Sequence, residues 1–396
     1  MARAVYTYTV HVAVEAVSGG DFVDQLRPPF RADHVGSLLR PPELRDVRER
    51  AALGTVSRED LIQAEDQAIL DAIDLQVSAG LKGITDGEFR RNAWHTDFLT
   101  ALDGVDPTHS SYAVSFKGEH GKTEAIGTML AVTGKIRRSR PIMVNHFKFL
   151  QGAVGPGVTA KFCIPSPTYL HMRGGRRTVP ANIYPDIEEF WADVVEAYRL
   201  EIADLAAAGC RYLQLDDVSV SMLCDETIRA QARADGEDPD VLPRIYANVI
   251  NAIIRDRPAG MAVTVHTCRG NHRSMWMAEG GYEAVADSVF NTLEVDGLFL
   301  EFDTDRAGGF EPLRYAPADK RIVLGLVSSK TPELESKDDL KRRIDAAAKF
   351  APLENLCISP QCGFASTAVG NQITVDIERR KLALVTEVAD EVWGNA

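Results

Sequence analysis

The feature that most constrains the fold is a regular alternation of short apolar segments with longer amphipathic segments. Each apolar segment has the length of a buried strand and is followed by helical spacing, a pattern that predicts a parallel sheet covered by helices. The sequence contains eight such predicted strands, the number that closes a (β/α)8 barrel. They span residues 33–36, 82–86, 161–165, 211–216, 262–268, 298–303, 322–327 and 356–360. We therefore predict an α/β fold, a single (β/α)8 TIM barrel.

Two long helices carry recognisable start and stop signals. Ser57, followed three residues later by Asp60, is similar to a capping box, and Gly80 is placed to end that helix. Asp186 is the predicted start of a second helix, which Gly209 ends. Both helices precede a predicted strand, as the barrel requires.

Two regions depart from the alternation. Residues 1–28 are predicted to form an N-terminal extension, because 6–14 alternate like a strand or hairpin. Residues from about 104 to 155 are predicted to form an antiparallel insertion with strands at 112–116, 128–133 and 142–149. The remaining sequence, 29–396, is predicted to be one catalytic barrel.

Composition excludes several classes of protein. A net charge of −13 over 396 residues argues against a nucleic-acid partner, and the basic run at 135–140 is interpreted as a solvated loop or a substrate-facing edge. No apolar run is long enough to span a membrane, and the N-terminus does not resemble a secretory signal. The six cysteines are therefore expected to be reduced thiols of a cytoplasmic protein.

The segment VTVHTC at 263–268 has the clearest metal-binding pattern. Side chains alternate along a strand, so His266 and Cys268 lie on one side and can contact one ion. Zn²⁺ accepts imidazole nitrogen and thiolate sulfur. A His-x-Cys pair alone usually reflects packing, because cysteine is among the most buried residue types.

Two residues at the ends of other predicted strands strengthen the metal hypothesis. Glu301 ends an apolar strand and Cys362 follows the last one, so a closed barrel brings both to the catalytic rim with His266 and Cys268. In the alternative interpretation, Glu301 makes a buried hydrogen bond and Cys362 simply packs. The other cysteines are predicted to be core residues: Cys163, Cys210, Cys224 and Cys357.

Acidic residues follow two predicted strands. Asp86 and Glu88 lie in a glycine-containing turn that either binds an ammonium or hydroxyl group or forms a salt-bridged loop. Asp216 and Asp217 end another strand, where one binds substrate and the other caps the next segment.

The end of the first predicted strand offers a different kind of group. There the backbone N–H groups of Gly36 and Ser37 can hold a carboxylate, and His34 is a ligand, a base or a buried core histidine. Trp94 and His95 either cover a substrate or pack under their loop.

In their order along the chain, these motifs resemble the catalytic barrel of the cobalamin-independent methionine synthase family, from about residue 31 to residue 392. The motifs are HVGS (34–37), DGEFRRN (86–92), LQLD (213–216), HTC (266–268), FLE (299–301) and SPQCG (359–363). Six motifs in the family's order are more specific than any one of them.

The resemblance implies zinc held by the four residues that match the family's ligands: His266, Cys268, Glu301 and Cys362. It also implies that Glu88 and Asp216 hold the amino group of a homocysteine-like thiol, and that the backbone of Gly36 and Ser37 holds its carboxylate. Glu301 and Asp216 are the expected catalytic residues, with Glu301 yielding to the thiol because carboxylate is the hardest ligand.

The expected activity is zinc-dependent methyl transfer to homocysteine from a methyl-folate-type or other methyl donor. The chain departs from the family by having one barrel and by lacking, in 161–173, the tryptophan expected beside a pterin ring. The identity of the donor is therefore left open. Alternatives are alkyl transfer to another small thiol by epoxide opening, a metal-free lyase resembling uroporphyrinogen decarboxylase, and a non-catalytic zinc protein. The expected partners are a small thiol and an alkyl donor, without nucleic acid or membrane, and a homo-oligomer is compatible with the sequence.

Overall fold

Continuous runs of valine, isoleucine and leucine form a parallel sheet whose two faces are both covered. The computed structural model describes residues 27–118 and 121–394. Within them, seven strands form one parallel sheet in the order β1–β4–β5–β6–β7–β8–β9, and β2 pairs with β3 in an antiparallel hairpin. The strands are β1 (Gly83–Ile84), β2 (Asp103–Gly118), β3 (Gly121–Arg137), β4 (Thr159–Pro165), β5 (Tyr212–Asp217), β6 (Ala262–Thr267), β7 (Gly297–Glu301), β8 (Arg321–Val327) and β9 (Leu356–Pro360).

Helices connect successive strands and cover the outside of the sheet. They are α1 (Pro42–Ala52), α2 (Arg58–Ser78), α3 (Thr96–Leu99), α4 (Val144–Ala153), α5 (Tyr169–Met172), α6 (Ile187–Ala207), α7 (Ser219–Met222), α8 (Glu226–Ala234), α9 (Leu242–Ile254), α10 (Glu283–Phe290), α11 (Lys337–Ala347) and α12 (Val375–Trp393). None of the helices in the described ranges is both long and apolar enough to cross a membrane.

The first of the eight barrel positions, between β9 and β1, is filled by an irregular segment, so the predicted strand at 33–36 is wrong in detail. Ala32 makes a single parallel bridge with Ile358 of β9, and the Leu38 N–H donates to the Gly87 carbonyl just beyond β1 (3.1 Å). The Asp33 carboxylate accepts the N–H groups of Phe30 and His34. A side chain that bonds to nearby backbone in this way competes with regular strand pairing. The segment nevertheless completes the (β/α)8 TIM barrel.

The two predicted helix starts are confirmed. Ser57 accepts a hydrogen bond from the Asp60 N–H at the start of α2, and Asp186 accepts one from the Glu188 N–H at the start of α6. Each side chain bonds one of the N–H groups left unpaired at a helix N-terminus.

The antiparallel insertion is a long hairpin, which confirms the predicted strands at 112–116 and 128–133. The third predicted strand, 142–149, is wrong, because 144–149 belong to α4 and Met143 is its N-cap. Met143, Val144, Phe147 and Leu150 are buried at helical spacing. The Glu201 carboxylate also accepts the N–H groups of Ile142 and Met143, which favours a helix start there.

The base of the hairpin packs on α6. Lys135 pairs with Glu189, and Arg138 pairs with the buried Glu201. These ion pairs hold the basic run against helix α6 rather than on the catalytic face. The predicted N-terminal strand at 6–14 lies outside the described residues.

Polar residues fill part of the barrel interior. Lys161 on β4 donates to Asp33 (2.9 Å), and Tyr212 on β5 donates to the other Asp33 oxygen (2.7 Å). His34 bonds the Gly83 carbonyl through Nε2 (3.0 Å), which favours the interpretation as a buried core histidine. The buried charges are thus paired, as burial requires.

Candidate active site at the carboxyl ends of the strands

One cavity of about 300 Å³ opens at the carboxyl ends of the strands, where active sites of (β/α)8 barrels lie. Most of the predicted site residues line it: Ser37, Glu88, Asp216, His266, Cys268 and Cys362. Two predicted site residues, Gly36 and Glu301, are not part of this lining. The cavity therefore brings together residues from or just after five barrel segments: the irregular first segment, β1, β5, β6 and β9.

An imidazole and two thiols converge on one side of this cavity. His266 lies on β6, Cys268 follows the end of that strand, and Cys362 follows β9. Their ligand atoms all lie within 4.8 Å of one another, and the two Sγ atoms are 3.3 Å apart. Both ring nitrogens of His266 are buried without a hydrogen-bond partner among the described residues. Two adjacent sulfurs and an unpartnered imidazole fit the donor set that Zn²⁺ prefers.

The charges in this group are unevenly distributed. The hydrogen bond from Cys268 holds the pKa of the Cys362 thiol well below its usual range, and His266 contributes to the same effect. The same hydrogen bond, together with burial, raises the pKa of Cys268 well above its usual range. Cys362 is therefore the thiol that ionises first, and a thiolate is the form that binds metal.

Glu301 lies at the end of β7, outside the close group formed by His266, Cys268 and Cys362. Its carboxylate accepts hydrogen bonds from the Arg269 N–H (2.9 Å), from Arg306 (3.0 Å) and from Gln361 (3.1 Å). Burial raises the pKa of Glu301, but the positive charges of Lys330 and Arg306 outweigh it and hold the pKa below its usual range. The carboxylate is thus ionised and held in place next to the cluster.

The acids predicted to bind an amino group also meet in this cavity. Carboxylate oxygens of Glu88 and Asp216 lie within 4.8 Å of each other and of the Cys163 sulfur. Burial raises the pKa of Glu88 to about 8 and that of Asp216 to about 6, although neighbouring Arg91 and His266 oppose the shift. Two buried carboxyls this close favour the arrival of a cation.

The backbone at Glu88 is unusual for a residue other than glycine. Its φ of +62° lies in the left-handed region, which side chains with a Cβ atom adopt at a cost of about 1–2 kcal/mol. Glu88 Oε2 is buried without a hydrogen-bond partner among the described residues. The turn thus holds a carboxylate oxygen available for a ligand, and such strain often occurs at functional sites.

Asp217, the neighbour of Asp216, has a structural role. Its carboxylate accepts the Val220 N–H (2.8 Å) and the Thr168 hydroxyl (2.8 Å). The prediction that one acid of this pair caps the following segment is confirmed.

Gly36 lies where the chain must pass close to β4. Its φ is +130°, and a Cβ atom there would lie 2.6 Å from the Cys163 sulfur. The Thr85 hydroxyl fixes the Gly36 carbonyl (2.6 Å), and Ser37 next to it lines the cavity. The backbone in this segment therefore approaches the site closely, as carboxylate binding would require.

Most of the remaining cavity wall was not predicted from the sequence. Trp94 and His95 line the cavity, and they are joined there by Phe116, Leu130, Tyr169, Arg173, Asn271, His272 and Met277. Tyr169 and Arg173 follow β4 on the catalytic face, a position that could have indicated them. Phe116 and Leu130 come from the hairpin, and nothing in the sequence indicates that it reaches the cavity.

Known proteins share the sequence pattern and fold of this chain. Residues 30–389 match the family model described as cobalamin-independent synthase, catalytic domain. The chain is 44% identical over 378 residues to the uncharacterized protein YxjH of Bacillus subtilis, covering 95% of this chain and 98% of that one. It is 23% identical over 333 residues to the methionine synthase of Saccharolobus solfataricus, covering 83% and 86% of the two chains.

A solved structure gives the same result. The putative vitamin-B12-independent methionine synthase of Listeria monocytogenes aligns with a TM-score of 0.73 and 37% identity, covering 93% of this chain and 99% of that one. Fold and site thus define a (β/α)8-barrel enzyme with thiol, imidazole and carboxylate groups at its catalytic rim. The chain belongs to the cobalamin-independent methionine synthase family, whose members are methyltransferases. This assignment does not support the lyase alternative.

Proposed function

We propose that this methyltransferase binds Zn²⁺ and methylates the thiol of homocysteine or a closely related amino thiol. His266, Cys268 and Cys362 would hold the ion, with Glu301 as the fourth ligand. The observation that carries the proposal is that the imidazole–thiol group and the Glu88–Asp216 pair line one cavity. A site with both groups suits a substrate that has both a thiol and an ammonium group.

The metal supplies acidity, because coordination to Zn²⁺ deprotonates a thiol whose free pKa is near about 8.5. The chain's own residues orient the substrate. Glu88 and Asp216 accept hydrogen bonds from the ammonium group, and the backbone of Gly36 and Ser37 holds the carboxylate. Asp216 and Glu301 are the two proposed catalytic residues. The Asp216 carboxylate keeps the amino thiol beside His266.

The acid pair favours an amino thiol over a simple thiol. Two buried carboxyl groups that cannot both ionise readily are relieved by an ammonium group between them. An epoxide-opening enzyme acting on a simple thiol would leave Glu88 Oε2, which has no hydrogen-bond partner among the described residues, without one. A methyl-folate-type or other methyl donor supplies the methyl group.

The proposal is tested by measuring bound metal and methyl transfer on the same preparations. We expect about one zinc per chain, as for an open catalytic site. Sulfur coordination measured by X-ray absorption should increase when homocysteine is added. Cys268→Ser and Cys362→Ser should each lose zinc and methyl transfer together.

Cys357→Ser is the matched control, because Cys357 is equally buried but lies on the core side of β9. It should keep both zinc and activity. A zinc-free wild-type protein that methylates homocysteine at full rate would overturn the metal assignment. A zinc-containing protein that methylates only thiols without an amino group would overturn the acceptor.

A further inference from the structure

A second set of potential metal ligands meets beside the cavity, and we call it the acid–thiol group: Glu88, Cys163 and Asp216. One ligand atom from each residue lies within 4.8 Å of the other two, and all three residues are buried. Glu88 and Asp216 line the cavity, whereas Cys163 is not part of the lining. An amino group needs only the two carboxylates, so the function proposed above gives the Cys163 thiol no role.

The Cys163 thiol has weak partners within the protein. Cys163 lies on β4, and its Sγ donates to the Val35 carbonyl (3.2 Å). Gln214 Nε2 lies 3.7 Å from the same sulfur. A neutral thiol is only a weak donor and a weak acceptor, but a thiolate is a strong metal ligand. The sulfur is therefore placed where a cation between the two acids could bind it.

Two oxygen atoms next to this sulfur are buried and lack a hydrogen-bond partner among the described residues: Glu88 Oε2 and Gln214 Oε1. Arg91 pairs with the other oxygen of Glu88 (3.4 Å), which leaves Oε2 for a ligand. Gln214 donates through Nε2 to Asp216 Oδ1 (2.7 Å), so its amide lies within the group. A buried acceptor without a partner is costly, and a bound cation removes that cost at both oxygens.

The charges of the group suit two kinds of cation. Arg91 is the one cation that forms an ion pair with the group within the described part of the chain, since Lys161 pairs with Asp33 (2.9 Å). With a neutral thiol, two carboxylates and Arg91 leave one negative charge, which a single ammonium group balances. With a thiolate they leave two, which a divalent cation balances. The same group can therefore accept either an amino group or a metal ion.

The sulfur decides which metal ions fit. Thiolate ligands select borderline or soft ions such as Zn²⁺ and Cd²⁺, whereas Mg²⁺ and Ca²⁺ prefer oxygen alone. The imidazole–thiol group offers two sulfurs and a nitrogen, while the acid–thiol group offers one sulfur and oxygens. Zn²⁺ should therefore fill the imidazole–thiol group first and the acid–thiol group at higher concentration.

We propose that the acid–thiol group is a second, weaker site for a thiophilic divalent cation, and that an ion bound there excludes the amino group of the substrate. The competition rests on the proposed function, because that function assigns Glu88 and Asp216 to the amino group. Binding of the ion forms a bond to Cys163 Sγ and releases the thiol proton to solvent. Excess metal ion thus inhibits the enzyme by occupying a position that the substrate needs.

The first measurement is the zinc content of untagged protein dialysed against increasing free Zn²⁺ without any thiol. Wild type should bind one ion at low free zinc and a second at higher free zinc. Cys163→Ala should bind only the first. Cys163→Ser should give the same result, and it replaces the alanine variant if circular dichroism shows that variant to be unfolded. Cys357→Ala, which removes another buried cysteine, is the matched control and should bind both ions.

The second measurement tests the competition with L-methionine, the product of the proposed reaction, because it has the amino group but no thiol. At ten times its dissociation constant, methionine should raise the free zinc that half-fills the second site by about tenfold. 3-(Methylthio)propionate, which lacks the amino group, should leave that concentration unchanged.

The outcomes separate this inference from the proposed function. A wild type that binds no second zinc would overturn the inference, as would Cys163 variants that bind it as well as wild type does. A second zinc that requires Cys163 but resists methionine would overturn the competition and support the metal site. A second zinc that requires Cys163, in a protein that fails to methylate homocysteine, would support the metal site and overturn only the proposed function.

Discussion

Asp216 and His266 are register partners on the neighbouring parallel strands β5 and β6, and both side chains line the same cavity. Adjacent strands lie about 4.8 Å apart, and paired residues project to the same side of a sheet. One step across the sheet therefore separates the acid proposed for the amino group from the imidazole proposed for the metal. This spacing suits a small substrate that carries both an ammonium group and a thiol.

Asp216→Asn should reduce kcat/KM for homocysteine by about ten- to a hundredfold, the scale of one charge-assisted hydrogen bond. The reaction with 2-mercaptoethanol, which has no amino group, should change far less. Steady-state kinetics with both thiols and a zinc assay on the variant measure this difference. An equal loss with both acceptors would show that Asp216 acts on the imidazole–thiol group instead of on the amino group of the substrate.

Gly36→Ala should destabilise the protein by about 2–4 kcal/mol, because it combines a strained φ with a contact to the Cys163 sulfur. Gly209→Ala is the matched control, since Gly209 also has a φ beyond the left-handed region (+100°) but open space around its Cβ position. Urea unfolding of the two variants isolates the contribution of the contact. Replacing Cys163 with alanine in the Gly36→Ala background should recover part of the loss, and no recovery would contradict the contact.

Lys161→Met should cost about 3–5 kcal/mol, because it leaves the Asp33 carboxylate buried without its cation. Lys337→Met, which removes an exposed ion pair with Glu387, is the control and should change stability little. Chemical denaturation measures both effects. A small effect at Lys161 would mean that the hydrogen bond from the Tyr212 hydroxyl is enough by itself to stabilise the buried Asp33 carboxylate.

Glu378 should make stability fall as the pH rises. Burial raises its pKa to about 8 from an ordinary value of 4.5, so the folded protein retains a proton that the unfolded chain releases. The stabilisation is complete below pH 4.5 and is lost as the pH rises towards 8, by at most about 1.4 kcal/mol per pH unit.

Glu378→Gln keeps an acceptor for the Leu39 N–H, which Glu378 Oε1 accepts at 2.9 Å, and removes the titration. The unfolding free energy of the variant should therefore rise relative to that of the wild type from pH 5 to pH 8. Urea unfolding at several pH values measures it, and a difference that stays constant would contradict the raised pKa.

The sequence indicated the strands and the proximity of His266, Cys268 and Cys362 well, because both depend on local patterns. Seven of the eight predicted strands are present with small shifts at their ends. The His266–Cys268 spacing holds on any strand, and closing a barrel necessarily brings Cys362 to the same rim. Alternation and strand order were enough to place these residues together.

The sequence was least informative where distant segments meet. Residues 142–149 looked like a strand, yet a carboxylate from α6 caps them as a helix. Two of the groups that hold Glu301, the Arg269 N–H and the Gln361 side chain, come from segments after two other strands. No local pattern connects such residues, since their contact exists only once the barrel has closed.

By itself, the sequence determined the barrel and the set of groups available for chemistry, because hydrophobic periodicity and residue type are local properties of the chain. Only the tertiary structure decided which groups share a cavity and which charges surround them. It placed Glu88 and Asp216 within reach of one another, raised the pKa of both through burial, and brought Trp94, His95 and Tyr169 together as one wall. Distance and desolvation arise from packing, and packing is a property of the whole fold.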